Sequence, residues 1–191
     1  APFLTNKLEE KIKKKIIEPT LRAMKDLGHP YKGFLYAGLM INKNEPYLIE
    51  YNIRMGDPEC QVLMMRLKTS LVEVVKSVMN DSLKNLKIDW NDSSCMTIVL
   101  CSKGYPGNYK KNSEIKNLDK VNMDENNQVF HAGTYEKDKK IFSNGGRVLN
   151  ITSAEKSLAL TRNKCLDNLK ILNWNNGFFR KDIGWRVINN N

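Results

Sequence analysis

Histidine is scarce in this sequence: His29 and His131 are the only two in 191 residues. Its four cysteines, Cys60, Cys95, Cys101 and Cys165, form no C-x-x-C pair. That combination argues against a zinc site. Cys95 and Cys101 fall on one face of a predicted strand, about 20 Å apart and beyond disulfide reach. The cysteines therefore read as buried thiols in a reducing cytosol. No apolar run approaches membrane-spanning length. The opening Ala1-Pro2-Phe3-Leu4-Thr5 lacks the basic region and apolar stretch of a secretory signal. It also lacks an initiator Met, so the chain is expected to begin inside a longer protein. Neither G-x-x-x-x-G-K-[ST] nor G-x-G-x-x-G occurs, which removes the two common glycine-rich nucleotide loops. No Ser/His/Asp or Cys/His spacing commits to nucleophilic catalysis, and there is no internal repeat or low-complexity tract.

Acidic residues are outnumbered, 21 Asp and Glu against 31 Lys and Arg, for a net charge of +10. Such a balance suits anionic partners: nucleic acid, acidic lipid or phosphorylated small molecules. The lysine runs (Lys11 with Lys13 to Lys15, Lys110-Lys111, and the turn from Lys137 to Lys140) read as solvated faces. With 41% hydrophobic residues, the chain can bury a sizeable core as one large domain or two small ones.

Leu8, Ile12, Ile16, Ile17, Leu21, Met24 and Leu27 recur at helical spacing. Asn6 with Glu9 is the expected cap, Gly28 the stop, and Pro19 is expected to kink or split the helix. Gly33 to Ile41 predicts a strand covered on both faces. A polar turn, Asn42 to Pro46, leads into a second strand to form an antiparallel hairpin. Asp57-Pro58-Glu59 then predicts a helix start, with Asp57 capping and Pro58 at the first helical position. Apolar spacing carries that helix to about Asn80. The polar stretch from Asn80 to Ser94 marks a boundary, giving a first lobe over 1–90 and a second over 91–191. In the second lobe strands are expected at Cys95–Ser102, Val129–Tyr135, Ile141–Ser143 and Arg147–Ile151. Thr152 with Glu155 reads as a capping box opening a last helix, and His131 reads as a core histidine. The overall class is α+β, with antiparallel sheets and helical cover.

The chemistry concentrates in Glu50-Tyr51-Asn52-Ile53-Arg54-Met55-Gly56-Asp57-Pro58-Glu59. Strand side chains alternate, so Glu50, Asn52 and Arg54 share a face at about 6.5–7 Å per pair. Tyr47, Ile49, Tyr51 and Ile53 take the other face, available for burial against helices. Two oxygen donors beside a guanidinium suit a divalent cation carrying a polyphosphate. A solvated strand with an ordinary ion pair is the competing explanation. Gly104-Tyr105-Pro106-Gly107 and Asn144-Gly145-Gly146-Arg147 can each present backbone amides to an anion, and hairpin turns explain both equally. Arg147 has room beside Gly145 and Gly146 for a phosphate or carboxylate. Trp174, Phe178, Phe179 and Trp185 near the C-terminus can stack bases or pack the end of the chain.

Tyr31 to Met40, Leu48 to Glu59, Gly104 to Gly107, His131 to Thr134, Gly145 to Val148 and Arg180 to Trp185 resemble the phosphoribosylamine–glycine ligase family of ATP-grasp enzymes. The resemblance runs in order through essentially the whole chain. It implies the second half of an ATP-grasp domain, an antiparallel sheet with helices, followed by a small C-terminal lobe of antiparallel sheet plus helix. It implies a ligase of purine biosynthesis that joins glycine to 5-phosphoribosylamine through glycyl phosphate, cleaving ATP. On the same footing Glu50 and Asn52 hold Mg²⁺ or Mn²⁺ and the nucleotide, and Arg54 contacts phosphoryl oxygens. Asp57 borders the substrates beside Arg54 as a catalytic residue, and Gly145, Gly146 and Arg147 are substrate contacts. Met55 stands where the family has an aromatic and Cys60 where it has Thr.

The implied partners are ATP, glycine, 5-phosphoribosylamine and an N-terminal part of the same enzyme bearing the ATP lid. The isolated chain is expected to show little or no turnover. No nucleic acid or membrane partner is implied, and the expected location is cytoplasmic. Two alternatives stand beside this reading: a basic nucleic-acid-binding module and a different ATP-grasp ligase.

Overall fold

Thr5 opens the first helix of the structure, a computed structural model that describes residues 4–188. Its side-chain oxygen accepts from the Leu8 amide at 3.2 Å, so the cap lies one residue before the expected Asn6. Helix α1 (Asn6–Ile12) passes through a π turn (Lys13–Ile17) into α2 (Glu18–Asp26). Pro19 therefore neither splits nor ends the helix; the wider turn ahead of it takes up the missing backbone donor. The C-terminus is a Schellman motif. Gly28 adopts φ +82° and donates to Lys25 O, while His29 donates to Met24 O.

Strands β1 (Tyr36–Asn42) and β2 (Glu45–Asn52) form the expected antiparallel hairpin. Lys43 and Asn44, both at positive φ, make its two-residue turn. Gly38 pairs with Glu50 but Leu39 pairs with Leu48, so Ile49 is an extra residue bulged out of β2. Tyr51 hydrogen-bonds Thr20 Oγ1 at 2.6 Å and donates to Ile16 O at 3.1 Å, tying β2 to the helix. Glu45 adds ion pairs to Lys11 and, at 2.7 Å, to Lys15. Burial of the other apolar residues does not follow. Tyr47, Ile49 and Ile53 are all exposed, because the described sheet has only two strands and the bulge breaks strict alternation. The same holds for β1, where Met40 is exposed.

The single helix expected from Asp57 to Asn80 is two: α3 (Glu59–Arg66) and α4 (Leu71–Met79). Between them Leu67 bridges to Trp90, and the Lys68 amide donates to Asp89 O. Extended pairing there outcompetes helix continuation. The chain divides into two compact units, 1–56 with 69–88 and 57–68 with 89–191. The short α3 segment thus groups with the second unit.

That unit is built on β3 (Ser94–Ser102), which short β4 (Glu114–Ile115) follows in the chain. Next come β5 (Asn127–His131), β6 (Thr134–Lys137), β7 (Lys140–Ser143) and β8 (Arg147–Glu155). Helix α5 (Leu158–Ile171), strand β9 (Gly177–Phe178) and α6 (Trp185–Ile188) complete it. The main sheet has the order β5-β8-β3-β9 and the smaller one β4-β7-β6, all antiparallel.

Three expectations change here. The strand expected over Val129–Tyr135 is two, β5 and β6, in different sheets. Thr152 and Glu155 lie in β8 rather than capping a helix; Ser157 caps α5 instead, accepting from the Leu160 amide. A central strand paired on both sides holds Thr152 and Ser153 fully buried, which overrides the local capping signal. His131 is exposed at the end of β5, with Nδ1 2.9 Å from Thr134 Oγ1, not in the core.

The core is the even face of β3 (Met96, Ile98, Leu100) with Leu149, Ile151, Cys165, Leu169 and Trp174. Helix α5 packs on β3 and β8. Helix α3 lies against the same two strands. No described helix is long and apolar enough to cross a membrane.

Candidate functional site

Two groups of polar side chains stand out, one in each unit. In the first, Asn52 Nδ2 donates to Glu50 Oε1 at 3.1 Å, so the two side chains lie on one side of β2. Glu50 is exposed and Asn52 half-buried. Opposite them Gly38 matters sterically: a Cβ there would sit 3.2 Å from Glu50 Cγ. The missing side chain leaves Glu50 room to lie over β1. Tyr51, pointing the other way to Thr20 and Ile16, fixes which face Glu50 and Asn52 present. Arg54 does not continue the alternation, since β2 ends at Asn52 and the chain bends. Its exposed guanidinium donates from Nη1 to Met55 O at 3.0 Å.

Among the described residues no group of three or more His, Cys, Asp or Glu could hold a metal ion. Glu50 and Asn52 provide two hard oxygens. That donor set is too few for an all-protein cage, and it fits Mg²⁺ or Mn²⁺ completed by phosphate oxygens and water.

In the second unit Asp57 and Arg147 meet across 90 residues of sequence. Arg147 Nη1 donates to Asp57 O at 2.8 Å, and its Nε lies 3.5 Å from Asp57 Oδ2. Gln61, one turn into α3, donates to Asp57 Oδ1 at 3.2 Å. Asp57 is therefore not the helix cap. Pro58 holds that position without a side-chain bond, and the Asp57 carboxylate turns to Gln61 and Arg147. Arg147 opens β8 opposite Cys101, at a register shift in the β3–β8 pairing. Ser102 holds the preceding glycines: its Oγ donates to Gly145 O at 2.7 Å and its amide to Gly146 O at 2.8 Å.

A cavity of about 550 Å³ opens beside Arg147. Val99, Tyr105, Pro106, Phe178 and Phe179 give it apolar walls, and Arg180 a second guanidinium that is held bidentately by Asp182. Burial pushes up the Cys101 thiol in its wall; Arg147 opposes that shift and Asp57 adds to it. Apolar walls with a guanidinium at one side suit a ligand that has an anionic group and a less polar body. Gln61 is not among the residues that the sequence points to, and Arg180 enters there only as the start of the Arg180-to-Trp185 resemblance. A glutamine four residues after Asp57, one helical turn away, was the available signal for the first.

Comparison with known proteins finds one family over the segments that carry both groups. Residues 1–60 match the family model "Phosphoribosylglycinamide synthetase, ATP-grasp (A) domain", and residues 95–186 match "Phosphoribosylglycinamide synthetase, C domain". A phosphoribosylamine–glycine ligase from Brucella melitensis is 44% identical over 188 residues, covering 98% of this chain and 44% of the relative. A chloroplastic phosphoribosylamine–glycine ligase from Arabidopsis thaliana is 43% identical over 192 residues, covering 98% of this chain and 36% of the relative. The crystal structure of the phosphoribosylamine–glycine ligase from Thermotoga maritima superposes with a TM-score of 0.78 at 29% identity, covering 94% of this chain and 44% of that one. The chain thus spans less than half the length of these relatives.

Proposed function

Since the chain belongs to the phosphoribosylglycinamide synthetase family, we propose that it supplies the metal-holding and substrate-holding C-terminal part of an ATP-dependent ligase that joins glycine to 5-phosphoribosylamine. The observation that carries this reading is the Glu50–Asn52 pair, two adjacent oxygen-bearing side chains held outward on β2 in a segment that the family's ATP-grasp model covers. A basic nucleic-acid module has no use for that pair, and matches to both family models in chain order favour this ligase over another ATP-grasp enzyme.

In this reading Glu50 Oε and Asn52 Oδ1 hold Mg²⁺ or Mn²⁺. When bound, the ion neutralises charge on the phosphate oxygens of ATP. The glycine carboxylate attacks the γ-phosphorus, the bond to the β-phosphate bridging oxygen breaks, and ADP leaves with that electron pair. The amine of phosphoribosylamine then attacks the glycyl phosphate carbonyl, losing a proton as phosphate departs. Arg54 exchanges the Met55 carbonyl for a transferring phosphoryl oxygen, where a guanidinium stabilises the growing charge. Arg147 takes the anionic phosphate of phosphoribosylamine in the 550 Å³ cavity. Asp57 holds Arg147 for that contact, and Gly145 and Gly146 keep the backbone beside it clear of side chains. Cytoplasmic location belongs to the same reading.

In the complete enzyme, Glu50→Gln should lower ATP-, glycine- and metal-dependent phosphate release on the order of 100-fold or more. Arg147→Ala should act mainly on KM for phosphoribosylamine. Activity of Glu50→Gln within a factor of about two of the parent would contradict the assignment. Robust turnover by the 191-residue chain alone would contradict the proposal that it is only part of the catalytic machinery.

A further inference from the structure

A second cavity, of about 450 Å³, lies in the same unit and takes no part in the ligase reading. Lys103, Asn108, Tyr109, Lys110 and Asn176 line it. Tyr105 and Pro106 of the same loop wall the Arg147 cavity instead, so the loop separates two distinct pockets.

The charge in this second pocket is of one sign. Its lining residues include two lysines and no carboxylate. Several other lysines are paired: Lys11 and Lys15 with Glu45, Lys13 with Glu9, Lys32 with Asp81, Lys140 with Glu114, Lys170 with Asp167. Among the described residues neither Lys103 nor Lys110 has a salt bridge. The frame around them is held in place. The Lys103 amide donates to Asn176 O at 2.8 Å, and Asn176 Nδ2 donates to Ser113 Oγ at 2.9 Å. Trp174 Nε1 anchors Ser113 Oγ in turn at 3.0 Å. Tyr109 stands edge-on to Tyr105, with centroids 6.2 Å apart.

We propose that this pocket binds a phosphate-bearing small molecule. Lys103 and Lys110 take the phosphate oxygens as point charges. Asn108 contributes amide hydrogen bonds and Tyr109 an aromatic flank for the rest of the ligand. The volume falls in the range of ordinary small-molecule sites and exceeds what inorganic phosphate fills, which favours a sugar phosphate or nucleoside phosphate. A single depression of this size also suits a small ester better than a nucleic acid, which needs a continuous cationic track. The site is independent of the ligase reading, so either can fail without the other.

The test is a titration of the ¹⁵N-labelled chain with inorganic phosphate, pyrophosphate, AMP and a single-stranded RNA, followed by amide shifts. Saturable shifts centred on Lys103, Asn108, Tyr109, Lys110 and Asn176 are expected, with AMP tighter than phosphate. If phosphate matches AMP at the same residues, the site stands with the free anion as its source. At these five residues the double variant Lys103→Gln/Lys110→Gln should weaken each small probe by about tenfold or more, and Arg147→Gln should leave the affinity read there within about twofold. Binding that survives the double variant, or shifts that move with Arg147→Gln instead, would overturn the site. RNA binding spread over the lysine-rich helix, much tighter than AMP and steep in salt, would overturn it in favour of a nucleic-acid surface.

Discussion

The two units solve opposite problems with similar residues. In the first, the buried apolar side chains are Leu8, Ile16 and Val74, while Tyr47, Ile49, Ile53, Val72 and Met79 are exposed. In the second, Ile98, Leu100, Val148, Leu149, Ile151, Cys165 and Leu169 are all at most 5% exposed. The first unit presents a polar pair, Glu50 and Asn52, on a lightly supported hairpin; the second holds a guanidinium at the rim of a densely packed sheet. A polar pair on a two-stranded ribbon depends on a few ties, Tyr51 to Thr20 and Ile16, and Glu45 to Lys11 and Lys15. Arg147 is positioned instead by the register of a sheet whose core would remain without it.

The sharpest way to break that contrast is to cut one apolar side chain in each unit. Leu149→Ala should destabilise the second unit by about 3–5 kcal/mol in chemical denaturation, the cost of a cavity in a core that cannot collapse. Ile49→Ala, at an exposed bulge, should stay within about 0.5 kcal/mol. Equal costs would mean that the first unit has a core after all. A smaller effect is expected from Tyr51→Phe, which leaves the ring and removes the hydroxyl bonds. It should cost about 1 kcal/mol, and it should speed amide exchange in β2 but not in β8. The smallest effects separate the units by pH. The Lys11 and Lys15 ammonium groups lower Glu45 to about 2, against an ordinary 4.5. Their stabilisation of the first unit is present above about pH 4.5 and is lost as pH falls through about 2. Burial, reinforced by Cys165, raises the Cys95 thiol of the second unit from 9.0 to about 11. That contribution is present below pH 9 and is lost as pH rises through about 11. Carboxyl and thiol titrations followed by NMR would check both directions.

Local signals were legible where local chemistry decides. The Gly28 stop, the β1–β2 hairpin and strand β3 follow from turn residues and from runs of apolar side chains. So does the shared side of Glu50 and Asn52, because residues two apart on a strand stay together even beyond the Ile49 bulge. Long-range pairing erased other signals. Thr152 and Glu155 spell a capping box, yet β3 and β5 hold Thr152 extended and β3 pairs with Glu155. The helix expected to run to Asn80 breaks where Leu67 and Lys68 pair with Trp90 and Asp89. Asp57 reads locally as a cap, and only the fold brings Arg147 to it. Arg147 itself could be picked out for the two glycines before it, but not its partner, its cavity or its place opposite Cys101.

The central claim is that Glu50 and Asn52 together hold a divalent cation. Paramagnetic Mn²⁺ added to the ¹⁵N-labelled chain in the presence of ATP tests it most directly. The account predicts selective broadening of amide signals around Glu50 and Asn52, and its disappearance in Glu50→Gln. Broadening that appears elsewhere, or that persists at β2 in Glu50→Gln, would contradict it.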